Sequence, residues 1–232
     1  MRLFSIVRDV PFYLYAGNSK KIQIHENPKV FATIVKQIRA EGNTFLREDR
    51  LYTLFQILKQ IPQKTIIVEV GVYKGGSVKF MSSILASEKI EASIFACDTF
   101  SGHAVVDERF DGRHRAHSQF SDVRLTDVQA YLKESRNVRV IAGDIHDTWA
   151  EIPSDRPIGL LHVDVDVYPA TKFCLQKFGP KISNEGFIVC DDYGFTTCLG
   201  AKEAVDEFCA ENPEWKIFHL LTGQALLFKT AQ

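Results

Sequence analysis

Two acid-bearing segments hold the residues best suited to chemistry. GLLHVDVDVYPAT (159–171) carries Asp164 and Asp166, and GFIVCDDYG (186–194) carries Asp191 and Asp192. Each is an apolar run that ends in carboxylates, which puts four acids at the mouth of what reads as one parallel sheet. Two unit charges about 4 Å apart repel by roughly 4 kcal/mol at an effective dielectric near 20. Neither segment contains a Lys or Arg to offset that. The cluster therefore needs a bound cation, retained protons, or side chains that diverge, and the first option makes the strand ends a hard-metal site.

A second constellation lies upstream, in VEVGVYKGGSVKF (68–80), a strand that runs through Gly71, Gly75 and Gly76 into a helix. A dinucleotide fingerprint needs glycine at position 73, where Tyr73 stands, and the P-loop pattern GxxxxGK[ST] is absent. Glu69 at the strand tip repels a phosphate but suits a cationic ligand. S-adenosylmethionine fits: it brings a sulfonium, an ammonium and a carboxylate that can use Gly75, Gly76 and Ser77 at the helix start. Asp98, ending the next strand, is placed to accept hydrogen bonds from ribose hydroxyls, and Asp144, after the third, to lie near the adenine.

The elements that must position these residues follow from the apolar pattern. Short continuous runs at 65–70, 93–98, 138–143, 159–165 and 186–191 read as strands buried on both faces, hence parallel. Helical stretches alternate with them at 76–87, 122–135, 169–178 and 200–210. Residues 215–220 and 223–229, separated by Leu221 and Thr222, read as a closing hairpin. The expected fold is α/β, a doubly wound, seven-stranded, mostly parallel sheet, Rossmann-like. Residues 1–27 read as irregular, and helices at 28–39 and 48–60 make residues 1–62 an N-terminal helical cap before a ligand-binding domain at 63–232. Glu69, Asp98, Asp144, Asp164, Asp166, Asp191 and Asp192 all fall at the carboxyl ends of strands, where such sheets bind ligands.

At these residues the chain resembles the macrocin O-methyltransferase family, class I S-adenosylmethionine-dependent enzymes that methylate sugar hydroxyls of antibiotics. The likeness runs through VEVGVYKGGS (68–77), CDTFSG (97–102), GDIHDTW (143–149), LLHVDVDVYPAT (160–171), NEGFIVCDDYG (184–194) and GAKEAVDEF (200–208), with REDR (47–50) before them. It implies transfer of a methyl group to a hydroxyl of a sugar or glycosylated natural product, dependent on Mg2+. It also implies that Asp164, Asp191 and Asp192 hold the ion; of the carboxylates, Asp164 is the best candidate for the base that takes the hydroxyl proton. Asp166 becomes an acceptor beside the ion or a cap for the helix after it. The implied donor site comprises Glu69, Gly71, Tyr73, Gly75, Gly76, Ser77, Asp98, Thr99, Phe100, Gly143, Asp144 and Asp164.

The departure is at 97–120, long and polar where the family carries FDSFEGLP, and 101–121 reads as a variable lid. His103, His114 and His117 there could supply a base, an acceptor contact or only a solvated lid, and Arg113 and Arg115 could read an anionic acceptor. His162 reads as a satisfied core histidine. Competing readings of the same sheet are an NAD-binding oxidoreductase, a metal-assisted hydrolase and a non-catalytic S-adenosylmethionine-binding protein.

Composition bounds the rest. A chain of 232 residues, 45% hydrophobic, can bury one substantial core, and a net charge of -1 leaves no global field for nucleic acid or an anionic membrane. Five cysteines without a CxxC pair read as reduced core thiols, which suits the cytoplasm. Arg8 and Asp9 interrupt any signal-peptide core, and no apolar run is long enough for a membrane span. A peripheral membrane contact through Leu3, Phe4, Phe12 and Tyr13 and a homo-oligomer stay open.

Overall fold

The computed structural model describes residues 13–16, 20–23 and 28–230. Strand β1 (Tyr13–Ala16) pairs antiparallel with β2 (Lys20–Gln23), where the sequence reads as irregular. The Gly-Asn dipeptide between them is the sequence signal for such a hairpin. The membrane contact through Leu3, Phe4 and Phe12 lies outside the described residues.

Helices α1 (Pro28–Glu41) and α2 (Glu48–Leu58) come next, followed by β3 (Thr65–Val70), α3 (Gly76–Glu88) and β4 (Ala92–Asp98). Then come α4 (Leu125–Tyr131), β5 (Val138–Ala142), the short α5 (Ile145–Thr148), β6 (Ile158–Val163), α6 (Tyr168–Phe178) and β7 (Ile182–Cys190). Helix α7 (Leu199–Glu211) leads to the hairpin β8 (Trp215–His219) and β9 (Ala225–Lys229). The seven-stranded sheet has the order β5-β4-β3-β6-β7-β9-β8. β9 is antiparallel to both neighbours and the first five strands are parallel.

All six residues of β3 and of β6 are buried, as their unbroken apolar runs require of strands covered on both faces. One face of the sheet, with Ile67, Leu160 and Val189, shares its core with Phe31 and Ile38 of α1, Leu54 and Phe55 of α2, and Phe80 and Met81 of α3. The other, with Val68, Leu161 and Ile188, is covered by Cys174, Leu175 and Phe178 of α6 and Val205 and Phe208 of α7. Burying one such leucine or phenylalanine stabilises by roughly 1.5–3 kcal/mol, so α1 and α2 are welded to α3 and to one sheet face.

Helix α4 is shorter than the span expected at 122–135. Asp122 lies outside it, pairing with Lys74 at 3.3 Å, and a turn closed by Ser135 N–H to Leu132 O ends the segment. All five cysteines are free, four of them buried. Among the described residues no helix is long and apolar enough to cross a membrane.

Candidate active site

Register places the acids. Val70 pairs with Cys97 on one side and with Val163 on the other, and Val163 pairs with Cys190. Gly71, Asp98, Asp164 and Asp191 therefore each stand one step beyond a common row. The strand order reverses between β3 and β6, and there a cleft of about 470 Å³ opens, within the range of small-molecule sites.

Close approach at the switch point dictates Gly71. Its φ is +92°, and a Cβ there would overlap the Asp164 carbonyl. The loop after it is held by Asp98, whose Oδ2 accepts from Val72 N–H at 2.7 Å and Tyr73 N–H at 2.8 Å, while Oδ1 accepts from Phe100 N–H at 2.7 Å. Asp98 thus ties the glycine loop to the tip of β4 before any ligand arrives. Asp144 caps α5, accepting from His146 N–H at 3.0 Å, with the His146 ring nitrogen at 2.7 Å.

The second half of the cleft is built differently. Asp191 is buried, bonded by the Arg50 guanidinium, by Gln224 Nε2 at 2.8 Å and more distantly by His162 Nε2 at 3.5 Å. Burial alone pushes Asp191 upward, but the bond and charge of His162, the Arg50 charge and the Gln224 bond hold it below its ordinary value. His162 Nδ1 meets Glu69 Oε1 at 2.8 Å. Desolvation opposes charge on that ring, yet its bonds to Asp191 and Glu69 keep it protonated well above the usual range. His162 is a fully buried core histidine with both nitrogens engaged.

The Asp164 carboxyl, by contrast, has no hydrogen-bond partner among the described residues, although the residue's N–H donates to Val70 O at 2.8 Å. Desolvation, then the charge of Asp191, pushes it well above the ordinary carboxylate value, against the opposing pull of His162 and Arg50. Asp192 is raised the same way by burial and by the charges of Asp166, Asp164 and Asp191. Of the three remedies for a carboxylate cluster, the fold supplies two internal cations beside Asp191, Arg50 and the His162 ring, and a raised proton affinity at Asp164 and Asp192.

The donor chemistry fits a hard divalent ion. Asp164 and Asp191 bring carboxylate oxygens within 4.8 Å of one another, beside His162, whose two ring nitrogens are already engaged, and Glu69 Oε2 is buried with no partner. Asp192 groups instead with Asp166 and Cys198. The three-aspartate set is thus adjacent but is not gathered into one such group, and Asp191 already serves Arg50.

Of the expected donor-site residues, Gly71, Tyr73, Ser77, Asp98, Thr99, Gly143, Asp144 and Asp164 line the cleft, as does Asp192 of the metal set. Glu69 and Asp191 lie beneath it, fully buried. Gly75 faces Val128 and Leu132, and Phe100 packs against the core. Gly76 donates its N–H to Asn43 O at 3.0 Å and has no room for a Cβ, which would come within 2.6 Å of that oxygen. The helix start is therefore partly capped by the α1–α2 connection, and Ser77 is its cleft-facing residue.

The 101–121 segment lies down on the cleft. Asp111, buried, accepts from Asp107 N–H and from Tyr168 N–H, both at 2.9 Å, and His114 contacts Thr197 O at 2.9 Å and Gln119 Oε1 at 3.1 Å. His103 lines the cleft, His117 is exposed, and Arg113 and Arg115 are exposed and away from the lining. Sequence reasoning missed Arg50, Gln224 and Cys198, and the wall from Asn43 to Leu46. Only Arg50 left a signal, through the REDR segment.

Comparison with known proteins bears on the family and the fold. The family described as macrocin-O-methyltransferase (TylF) matches residues 20–216. A demethyldecarbamoylnovobiocin O-methyltransferase of Streptomyces niveus is 28% identical over 202 residues, 78% of this chain and 75% of the relative. A mycinamicin III 3''-O-methyltransferase of Micromonospora griseorubida is 28% identical over 61% of this chain and 59% of its own. Among solved structures, the O-methyltransferase NovP superposes with a TM-score of 0.71 at 23% identity, covering 88% of this chain and 95% of that one. The calicheamicin methyltransferase CalS11 gives 0.65 at 19%, covering 94% and 100%.

Proposed function

The chain belongs to the macrocin O-methyltransferase family and is an S-adenosylmethionine-dependent O-methyltransferase, and on that premise we propose that it is Mg2+-dependent and methylates a sugar hydroxyl of a glycosylated acceptor. The observation that carries the reading is Asp164, whose carboxyl lines the cleft at the tip of β6 with no side-chain partner among the described residues, where a base must stand to meet an acceptor hydroxyl. Family membership sets aside the oxidoreductase, hydrolase and non-catalytic readings.

S-adenosylmethionine supplies the electrophilic methyl group. Tyr73, Ser77, Asp98, Thr99, Gly143 and Asp144 form the side of the cleft that suits it. Asp164, Asp191 and Asp192 would hold Mg2+, which supplies Lewis acidity toward a hydroxyl oxygen. Asp164 Oδ takes the proton of the acceptor hydroxyl. Arg50 holds Asp191 in place through the second carboxylate oxygen, and Gln224 and His162 hold the first.

Two features of the lining support a neutral glycoside. Arg50 is the only Lys or Arg among the described residues of the cleft wall and is already paired, so an anionic acceptor has no free cation to meet. The rim carries Phe45 at 64% exposure and Val105 at 51%, with Phe120 and Phe195 also exposed. Exposed apolar groups around a polar floor suit a sugar that carries an apolar aglycone. The test is methyl transfer to a panel of aryl glycosides, followed by mass spectrometry, before and after EDTA. Full activity in EDTA sinks the metal, and methylation confined to non-sugar hydroxyls sinks the acceptor.

A further inference from the structure

We propose that His103 is an acceptor-recognition residue, whose Nε2 and the Oδ2 of Asp166 together take one hydroxyl group of the methyl acceptor. The proposal rests on the sugar-acceptor reading above and concerns the 101–121 segment, which lines the cleft through Gly102, His103, Ala104, Val105 and Phe120.

His103 is 9% exposed, lines the cleft, and its Nε2 is buried with no hydrogen-bond partner. A buried polar atom without a partner is rare in a folded chain and marks a place prepared for something else. The ring is not loose. It stands edge-on to His114 at 5.2 Å and to Phe120 at 5.7 Å, and His114 is itself pinned by Gln119 and Thr197. The backbone is fixed too, since His103 O accepts from His117 N–H at 2.9 Å.

Asp166 Oδ2 lies 3.9 Å from His103 Nε2, too far for a direct hydrogen bond. Its other oxygen accepts from Cys198 Sγ at 3.3 Å, and its N–H donates to Asp192 Oδ2 at 3.1 Å. Among the described residues nothing else bonds Oδ2. Asp166 also has φ of +61°, a conformation a non-glycine residue holds only when its surroundings impose it. A single oxygen about 2.8 Å from each atom bridges the pair. A hydroxyl suits it best, accepting from Nε2–H and donating to Oδ2, whereas an ether oxygen can only accept.

The test uses the full chain with S-adenosylmethionine and Mg2+, and two probes, p-nitrophenyl α-L-rhamnopyranoside and catechol. His103→Ala is expected to raise KM for the rhamnoside about tenfold, with kcat falling far less. His103→Gln, whose amide can donate in place of Nε2, is expected to recover most of it. Both variants should keep their affinity for S-adenosylhomocysteine by calorimetry, which shows the fold is intact. An unchanged KM in His103→Ala overturns the proposal. Turnover of catechol but not of the rhamnoside by the natural chain overturns the sugar reading alone, and the KM of His103→Ala for catechol then decides this one. If neither probe is methylated, the 15N signal of His103 Nε2 decides: movement on adding saturating rhamnoside with S-adenosylhomocysteine supports the proposal, and a fixed signal overturns it.

Discussion

The two halves of the cleft handle negative charge in opposite ways. At the β3–β4 rim, Asp98 receives three backbone N–H groups at 2.7 and 2.8 Å, and its charge is spent on holding the glycine loop. At the β6–β7 rim, Asp164 and Asp192 sit close to Asp191 and Asp166, and the cations that reach in, Arg50 and the protonated His162, are both committed to Asp191. Amide dipoles can fix a carboxylate without changing the number of charges. Crowded carboxylates gain most from protons or cations, which change the number of charges. The first rim is a finished platform, and the second keeps chemical potential for proton transfer and ion binding.

The largest expected effect tests whether the halves separate. Asp164→Asn should lower kcat by about 10^3-fold while S-adenosylhomocysteine affinity, read by calorimetry, stays within a few fold; a parallel loss of affinity breaks the division. Gly71→Ala attacks the one point the halves share, forcing a Cβ into the Asp164 carbonyl at a φ of +92°. Urea denaturation should report a loss of roughly 4 kcal/mol, and a variant of normal stability would show that the tips of β3 and β6 are not in contact.

Arg50→Ala removes the guanidinium of the second rim and leaves Asp191 buried with His162 and Gln224 as its partners. A destabilisation of about 3 kcal/mol is expected, and millimolar Mg2+ should restore part of it in the same melt. No Mg2+ effect in this variant means that the ion and the guanidinium do not compensate the same charge. The smallest effect belongs to the first rim. Asp98→Ala should weaken cofactor binding about tenfold and speed amide exchange at Val72, Tyr73 and Phe100. Faster exchange at those three amides without weaker binding would make Asp98 a loop tether only.

Much of this was legible in the chain. Continuous apolar runs such as TIIVEV and IGLLHV specify strands buried on both faces, and β3 coincides with its expected span because burial on both sides leaves no alternative. The β1–β2 hairpin and the short α4 were not, because a turn dipeptide and a local pairing of Asp122 carry little weight against longer patterns. Rim placement of Asp98, Asp164 and Asp191 followed from strand ends alone. Their partners did not.

By itself the sequence determined the sheet, the row of acids beyond it and the family to which they belong, since each is written in local period and motif. Only the tertiary structure decided how those acids are balanced. Arg50 stands 141 positions from Asp191, and Gln224 stands 33 beyond it. His103 comes to within 3.9 Å of Asp166 from a loop that no regular pattern describes. Charge compensation is a property of distance in space, and no spacing along the chain encodes it.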